Sequence, residues 1–282
     1  MSNNLPKAYI FGAGAVGNGI LPSVKKQYDV IAFLDNDMSK WDTLYNEIPV
    51  IRPESIQGSD YDRIFVASFA GVNTIVEQLL DMGISRDLIS TEYNDYPVKS
   101  RIVFLDNLGV LFHERGIAGS IAECGVFQGE FACELNRVFP DKRLYLFDTF
   151  SGFDKRDMEL EFEKQYSKLK AGHFNITNEE LVLGKLPNPK MCVVRKGYFP
   201  ETARDIDELF CLVNLDFDLY NPTLAGLEFF YPRMVKGGVI LVHDYFSTAY
   251  RGVRDAVRDF ESATDDIHFI PIGDGLSIAI LC

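Results

Sequence analysis

The stretch Ser120–Gly129, SIAECGVFQG, followed by Leu144–Asp148, LYLFD, decides how the chain is read. Short strand-like runs alternating with longer amphipathic stretches imply a parallel sheet with crossover helices. Gly125 and Gly129 let the backbone turn tightly and approach a ligand closely before a helix expected over 129–138. The second run ends at Asp148, about 20 residues on, where an acid can accept hydrogen bonds from ribose hydroxyls. Strand, glycine turn, helix, strand, acid predicts a nucleotide-type ligand across the carboxyl ends of a parallel sheet. The alternative is a structural turn followed by a surface aspartate.

Downstream the same alternation continues. A polar insertion over 151–190, rich in aromatic and charged residues, is placed to cover the site; a solvated helix pair is its plainer reading. Strands are expected at 191–194, at 211–215 ending at Asp216, and at 239–242 after a Gly237-Gly238 turn. Helices are expected over 222–234 and about 251–262, and a terminal hairpin over 268–271 and 276–281. Asp216, Asp218, His243 and Asp244 follow strands whose ends face one crevice. Aspartate oxygens and a histidine nitrogen suit a divalent cation at Asp216, His243 and Asp244. Without a metal, His243 or Asp216 is the candidate general base. Asp218 either joins them or caps the following helix.

A second glycine turn lies upstream. Strand Tyr9–Phe11 runs into GAGAVG, with Gly12, Gly14 and Gly17, and the next strand ends at Asp35. The spacing fits a dinucleotide fingerprint. With roughly four strands expected in about 95 residues, a complete two-half NAD domain is not. A polar run and Pro97 mark a boundary, and residues 100–115 carry apolar positions at helical spacing. The expectation is α/β, two Rossmann-like domains in series: a module over 1–97, a linker helix over 98–117, and a larger domain over 118–282.

The chain carries 28 basic against 41 acidic residues, net −13. That balance weighs against phosphate-backbone binding, so no nucleic-acid partner is expected. No basic stretch with an apolar core opens the chain, and no apolar run approaches the ~20 residues of a membrane span. A cytoplasmic protein with no membrane partner is expected, its five scattered cysteines reduced. Oligomer number stays open, and a homo-oligomer is admitted.

GVFQGE, YLFDTFSGF, KGYFPET, LDFDLYNPTLAGLEFFYPRMVKGGVILVHDY and GVRDAVRDF together resemble the macrocin O-methyltransferase family over about residues 115–282. The resemblance implies a seven-stranded class I methyltransferase sheet with its last strand antiparallel. It implies S-adenosylmethionine as cofactor, with the methionine end near Glu123 and Gly125, the ribose on Asp148 and the adenine near Gly197 and Tyr198. Its implied magnesium ligands are Asp216 and a paired acidic motif; here His243 replaces the first member of that pair and Asp244 is retained. FGAGAVGNGI with DVIAFLDND resembles the small module at the front of sugar acetyltransferases and capsule-biosynthesis proteins. That resemblance implies a nucleotide or nucleotide-sugar on Gly12, Gly14 and Asp35.

The leading expectation is O-methylation of a sugar or nucleotide-sugar hydroxyl in surface-glycan or natural-product biosynthesis. An NAD-dependent oxidoreductase working through the first glycine loop lacks a recognisable hydride-acceptor site. A non-catalytic nucleotide-sensing scaffold is opposed by the intact Glu123, Gly125, Gly129, Asp148 and Asp216 set.

Overall fold

The computed structural model describes residues 5–68, 71–93, 96–167 and 169–282. Residues 1–4 of the opening segment, 94 and 95 of the polar boundary run, and 168 of the insertion lie outside the described residues. The chain divides into two compact units, Met1–Ser100 and Arg101–Cys282.

The first unit runs β1 (Lys7–Phe11), α1 (Ala15–Val24), β2 (Asp29–Leu34), β3 (Thr43–Tyr45), β4 (Ile48–Ile51), β5 (Arg63–Val66), α2 (Val72–Asp81) and β6 (Ile89–Ser90). Its sheet has six strands in the order β3-β4-β2-β1-β5-β6, parallel except for β3 against β4. Four strands were expected. The β3–β4 hairpin was missed because its strands are three and four residues long, too short to show a period of two. Alternate residues of β1 face opposite layers: Ala8 and Ile10 in one apolar cluster, Tyr9 and Phe11 in the other. Burial on both faces explains the unbroken apolar run.

Helix α3 (Tyr96–Glu114) leads into the second unit, where Leu105, Leu108 and Phe112 enter its core. There follow β7 (Ser120–Cys124), α4 (Glu130–Val138), β8 (Leu144–Asp148), α5 (Lys155–Glu163), α6 (Glu179–Lys185), β9 (Cys192–Lys196), β10 (Phe210–Leu215), α7 (Tyr220–Phe230), β11 (Met234–Val242), α8 (Arg251–Ala263), β12 (His268–Pro271) and β13 (Ile278–Leu281). The seven strands lie in the order β12-β13-β11-β10-β7-β8-β9, and β13 is antiparallel to both neighbours. The chain order reverses between β7 and β10, which creates a crevice at their carboxyl ends.

Two boundaries differ from expectation. Helix α7 stops at Phe230, and Tyr231–Arg233 form a single 3-10 turn carrying Pro232. A proline cannot continue the helical ladder. Gly237 and Gly238 are not a turn before a strand but lie inside β11. There the pairing with β10 jumps from Phe210–Met234 to Leu212–Val239, a bulge. Among the described residues no helix is long and apolar enough to cross a membrane, and the five cysteines are free thiols.

Candidate functional site

The second glycine loop is held from two sides. Gly125 sits at φ +85°, and a Cβ there would lie 1.9 Å from the Asp216 carbonyl oxygen. Only glycine fits where the loop after β7 meets the end of β10. From β8, the Asp148 carboxylate accepts from the backbone N–H of Val126 at 2.8 Å and of Phe127 at 2.9 Å. Its other oxygen accepts from Phe150 N–H at 2.7 Å. Asp148 therefore fixes the loop. Burial raises its pKa, opposed by these backbone hydrogen bonds. Gly129 forms the left-handed N-cap of α4 against Val182.

The ends of β10 and β11 bring acids together. Asp216, His243 and Asp244 each offer a donor atom within 4.8 Å of the others. Asp218 does not cap α7, whose N-cap is Leu219. It lies instead against Asp244. Burial, then the charges of Asp244 and Asp216, pushes its carboxyl well above the usual range. The Tyr250 phenol faces the same three aspartates and is raised too, first by burial.

His243 is oriented from behind. Its Nδ1 lies 2.8 Å from Ser277 Oγ, and that hydroxyl donates to the buried Asp274 carboxylate. Asp274 also accepts from the backbone N–H of Leu276 and Ser277. A serine hydroxyl has one hydrogen. With that hydrogen on Asp274, Ser277 can only accept from His243, so Nδ1 carries the proton and Nε2 keeps its lone pair.

Opposite the acids stands Arg101 of α3. Its Nη2 lies 3.3 Å from both Asp216 Oδ2 and Asn214 Oδ1, and its guanidinium stacks over the Phe131 ring at 4.3 Å. Glu123 on β7 faces Asn214 on β10 in register. Burial, then Asp216, raises the Glu123 carboxyl well above its ordinary range.

At the end of β9, Gly197 N–H bonds the Asp148 carbonyl at 2.9 Å. Tyr198 donates to Asp157 at 2.8 Å beneath the Arg156 guanidinium. The insertion is tied to the glycine loop. Phe174 packs edge-on against Phe127, Thr177 Oγ1 donates to the Phe127 carbonyl, and Gln128 reaches the Ile176 carbonyl.

Residues 99–270 match the macrocin-O-methyltransferase (TylF) family. The chain belongs to that family, and the protein is a methyltransferase. Residues 4–90 match a second description, C2185-like, N-terminal. The mycinamicin III 3''-O-methyltransferase of Micromonospora griseorubida is 26% identical over 195 residues, covering 61% of this chain and 76% of that enzyme. Among solved structures, the O-methyltransferase NovP aligns with a TM-score of 0.53 at 20% identity, over 64% of this chain and 79% of its own. The calicheamicin methyltransferase CalS11 aligns at 0.52 and 20% identity, over 77% and 95%. At such identities the likeness speaks for the fold alone.

Within this macrocin-O-methyltransferase unit, sequence reading missed Arg101, Ser277 and Asp274. Arg101 had a legible signal. It occupies the stripe 101, 105, 108, 112, whose other members are buried and apolar, so a charge was due to face inward. Ser277 and Asp274 sit in a hairpin loop where nothing in the spacing points to His243. In the first unit, Gly12, Gly14 and Asp35 line one cavity of about 280 Å³ with Asn36, Lys40 and Ser68. Asp35 is already engaged there. It accepts from Ala13 N–H and from Lys40 Nζ, both at 2.9 Å, and from Asp37 N–H at 2.8 Å.

Proposed function

We propose that the protein transfers the methyl group of S-adenosylmethionine to a sugar hydroxyl, free, nucleotide-linked or within a glycan or natural product. The observation that carries this reading is the convergence of Asp216, His243 and Asp244 beside a glycine loop braced by Asp148. In the reading, Glu123 and Gly125 flank the methionine end of the donor. Asp148, with the loop it braces and Gly129 behind it, faces the ribose. Gly197 and Tyr198 flank the adenine. The substrate oxygen attacks the methyl carbon in line, the carbon–sulfur bond breaks, and S-adenosylhomocysteine leaves. Without a metal, the hydroxyl proton passes to His243 Nε2, the nitrogen that the Ser277–Asp274 relay leaves basic. The protein supplies positioning and electrostatics, and the sulfonium carries the reactivity.

A divalent cation fits the same residues. Asp216, His243 and Asp244 would hold magnesium, with Asp218 beside them, since carboxylate oxygens are its preferred ligands. Bound there, the ion would lower the pKa of the sugar hydroxyl. For the first unit we infer a nucleotide or nucleotide-sugar. The feature supporting this is Gly14, which faces the cavity although no fold contact requires a glycine there, since a Cβ would meet nothing within 4 Å.

The test is calorimetric titration with S-adenosylmethionine, followed by radiolabelled methyl transfer to nucleotide-sugars with and without magnesium and a chelator. Asp216→Ala is expected to lower turnover at least about tenfold with the fold intact. Near-normal turnover removes Asp216 from the mechanism. Activity surviving chelation assigns His243 to proton transfer; loss on chelation assigns it to the metal.

A further inference from the structure

Helices α7 and α8 start directly after the two loops that carry the site acids. Asp216 and Asp218 precede the N-cap Leu219, and His243 and Asp244 precede the N-cap Tyr250. Neither helix has a side-chain cap of its own or an acid in its first turn. The first N–H groups of a helix lack partners within it, and its positive end favours a carboxylate. Helix α5 of the insertion supplies one. Its inner face carries Asp157 and Glu161, which are 3% and 1% exposed. Glu161 Oε1 accepts from the backbone N–H of Tyr220, the first residue of α7, at 2.9 Å. The same oxygen stands at the start of α8: a Cβ on Gly252 would lie 3.0 Å from it and 3.1 Å from Tyr220 Cβ. Asp157 accepts from the Asn221 side chain in that turn of α7 and from the Tyr198 hydroxyl. The segment after α5 grips the same two helix starts. Tyr166 stacks on Tyr220 with ring centroids 5.8 Å apart, and the Gln165 carbonyl accepts from Arg251.

We infer that Glu161 is a positioning residue of the methyl-transfer site: from the insertion it joins the first turns of α7 and α8, and so holds in place the loops that bear Asp216, His243 and Asp244. The inference rests on the methyl-transfer reading above and gives α5 a role that merely covering the site does not require. Stability alone does not account for the residue. Glu161 Oε2 is buried with no hydrogen-bond partner among the described residues. A buried carboxyl left half satisfied is costly, where an apolar side chain of the same length would not be. What the carboxyl supplies is direction. One oxygen set between two helix starts fixes both at a defined distance from α5, which non-directional apolar packing does not do. In-line transfer depends on such placement, since a misplacement of about 1 Å can lower a rate about 100-fold.

The experiment uses the full chain. Radiolabelled methyl transfer from S-adenosylmethionine to a panel of nucleotide-sugars gives kcat, calorimetry gives the affinity for S-adenosylhomocysteine, and hydrogen exchange without ligands reports on the loops. Glu161→Met keeps the length and loses the acceptor oxygens. It is expected to lower kcat about tenfold while the donor KM and S-adenosylhomocysteine affinity stay unchanged. Exchange should quicken over 216–222 and 243–253 and stay unchanged in the glycine loop 125–129. Glu161→Gln keeps an oxygen for the Tyr220 N–H and should recover most of the lost kcat. Gly252→Ala wedges a methyl group against Glu161 and Tyr220 from the α8 side. It should lower kcat in the same pattern, and it decides the matter should Glu161→Met fail to fold. Wild-type kcat in Glu161→Met overturns the inference, as does a loss shared equally by kcat and S-adenosylhomocysteine affinity that Glu161→Gln does not rescue. Exchange that quickens throughout the second unit, or at neither loop, overturns it on that measurement alone. No transfer by wild type to any sugar in the panel is a different failure, that of the sugar reading, and the exchange pattern then decides whether Glu161 holds the loops.

Discussion

At the residue scale, Ser277 and Glu123 make separable predictions. Ser277 touches neither candidate ligand position, yet it fixes which nitrogen of His243 bears the proton. Groups that orient a metal-ligating histidine from behind typically matter by about 10–100-fold, and the same positioning applies to a histidine that would take a proton. Ser277→Ala is expected to lower kcat about tenfold while S-adenosylmethionine affinity stays unchanged by calorimetry; unaltered kcat would remove the relay from the mechanism. Glu123 bears on stability. Burial holds its carboxyl well above the ordinary range, so the folded chain keeps a proton that the unfolded chain has lost. Its contribution is full below the unfolded value, ~4.3, and is lost as pH rises through the folded pKa. The melting temperature of the ligand-free protein is therefore expected to fall as pH rises above the ordinary carboxyl range, and Glu123→Gln to flatten part of that fall. A variant with an unchanged slope would place the uptake on other groups, such as Asp218.

At the element scale, the two glycine loops use the same device with different consequences. Asp148 braces Val126 and Phe127, and Asp35 braces Ala13, so each acid at a second strand holds the turn after the first. Sequence spacing located both acids. It could not tell bracing from ligand contact, because both tasks call for a carboxylate at the same position. The strands were legible wherever an apolar run was long and buried on both faces, as at Ser120–Cys124 and Leu144–Asp148. They were lost in the β3–β4 hairpin and at the bulge in β11, where local pattern is weak or glycines imitate a turn. Likewise Asp216, His243 and Asp244 could be found from strand ends, whereas the His243–Ser277 contact bridges 34 residues and leaves no local trace. Gly14 offers a test at this scale. Its φ is −150°, an extended value any residue adopts, and a Cβ there meets no neighbour. Gly14 is also the N-cap of α1, so Gly14→Val is expected to cost about 1 kcal/mol through weaker capping, with the unit still folded. If the unit binds a nucleotide or nucleotide-sugar as proposed, the variant should abolish the calorimetric binding that wild type shows in a nucleotide panel. Undiminished binding would place the ligand elsewhere, and no binding by wild type would sink the nucleotide reading of this unit.

At the scale of the whole molecule, each unit buries apolar layers on both faces of its own sheet. In the second unit one layer is unusually aromatic. Phe230 is fully buried and packs against Phe147, Phe199, Phe210 and Phe229 with ring centroids 4.9 to 5.9 Å apart. These rings join α7 to β8 and β10, the two strands that carry Asp148 and lead to Asp216. Packing here thus fixes how β8 and β10, and with them Asp148 and Asp216, sit against α7. Phe230→Ala removes a large side chain from a place where rigid rings on several sides cannot close the gap. It is expected to destabilise the second unit by about 3–5 kcal/mol. Hydrogen exchange at β8 and β10 should report the loss directly. Phe230→Leu, which fills more of the volume, should recover over half of it. A loss below about 1 kcal/mol for the alanine variant would mean that the cluster relaxes freely, and that β8 and β10 are not held by this layer.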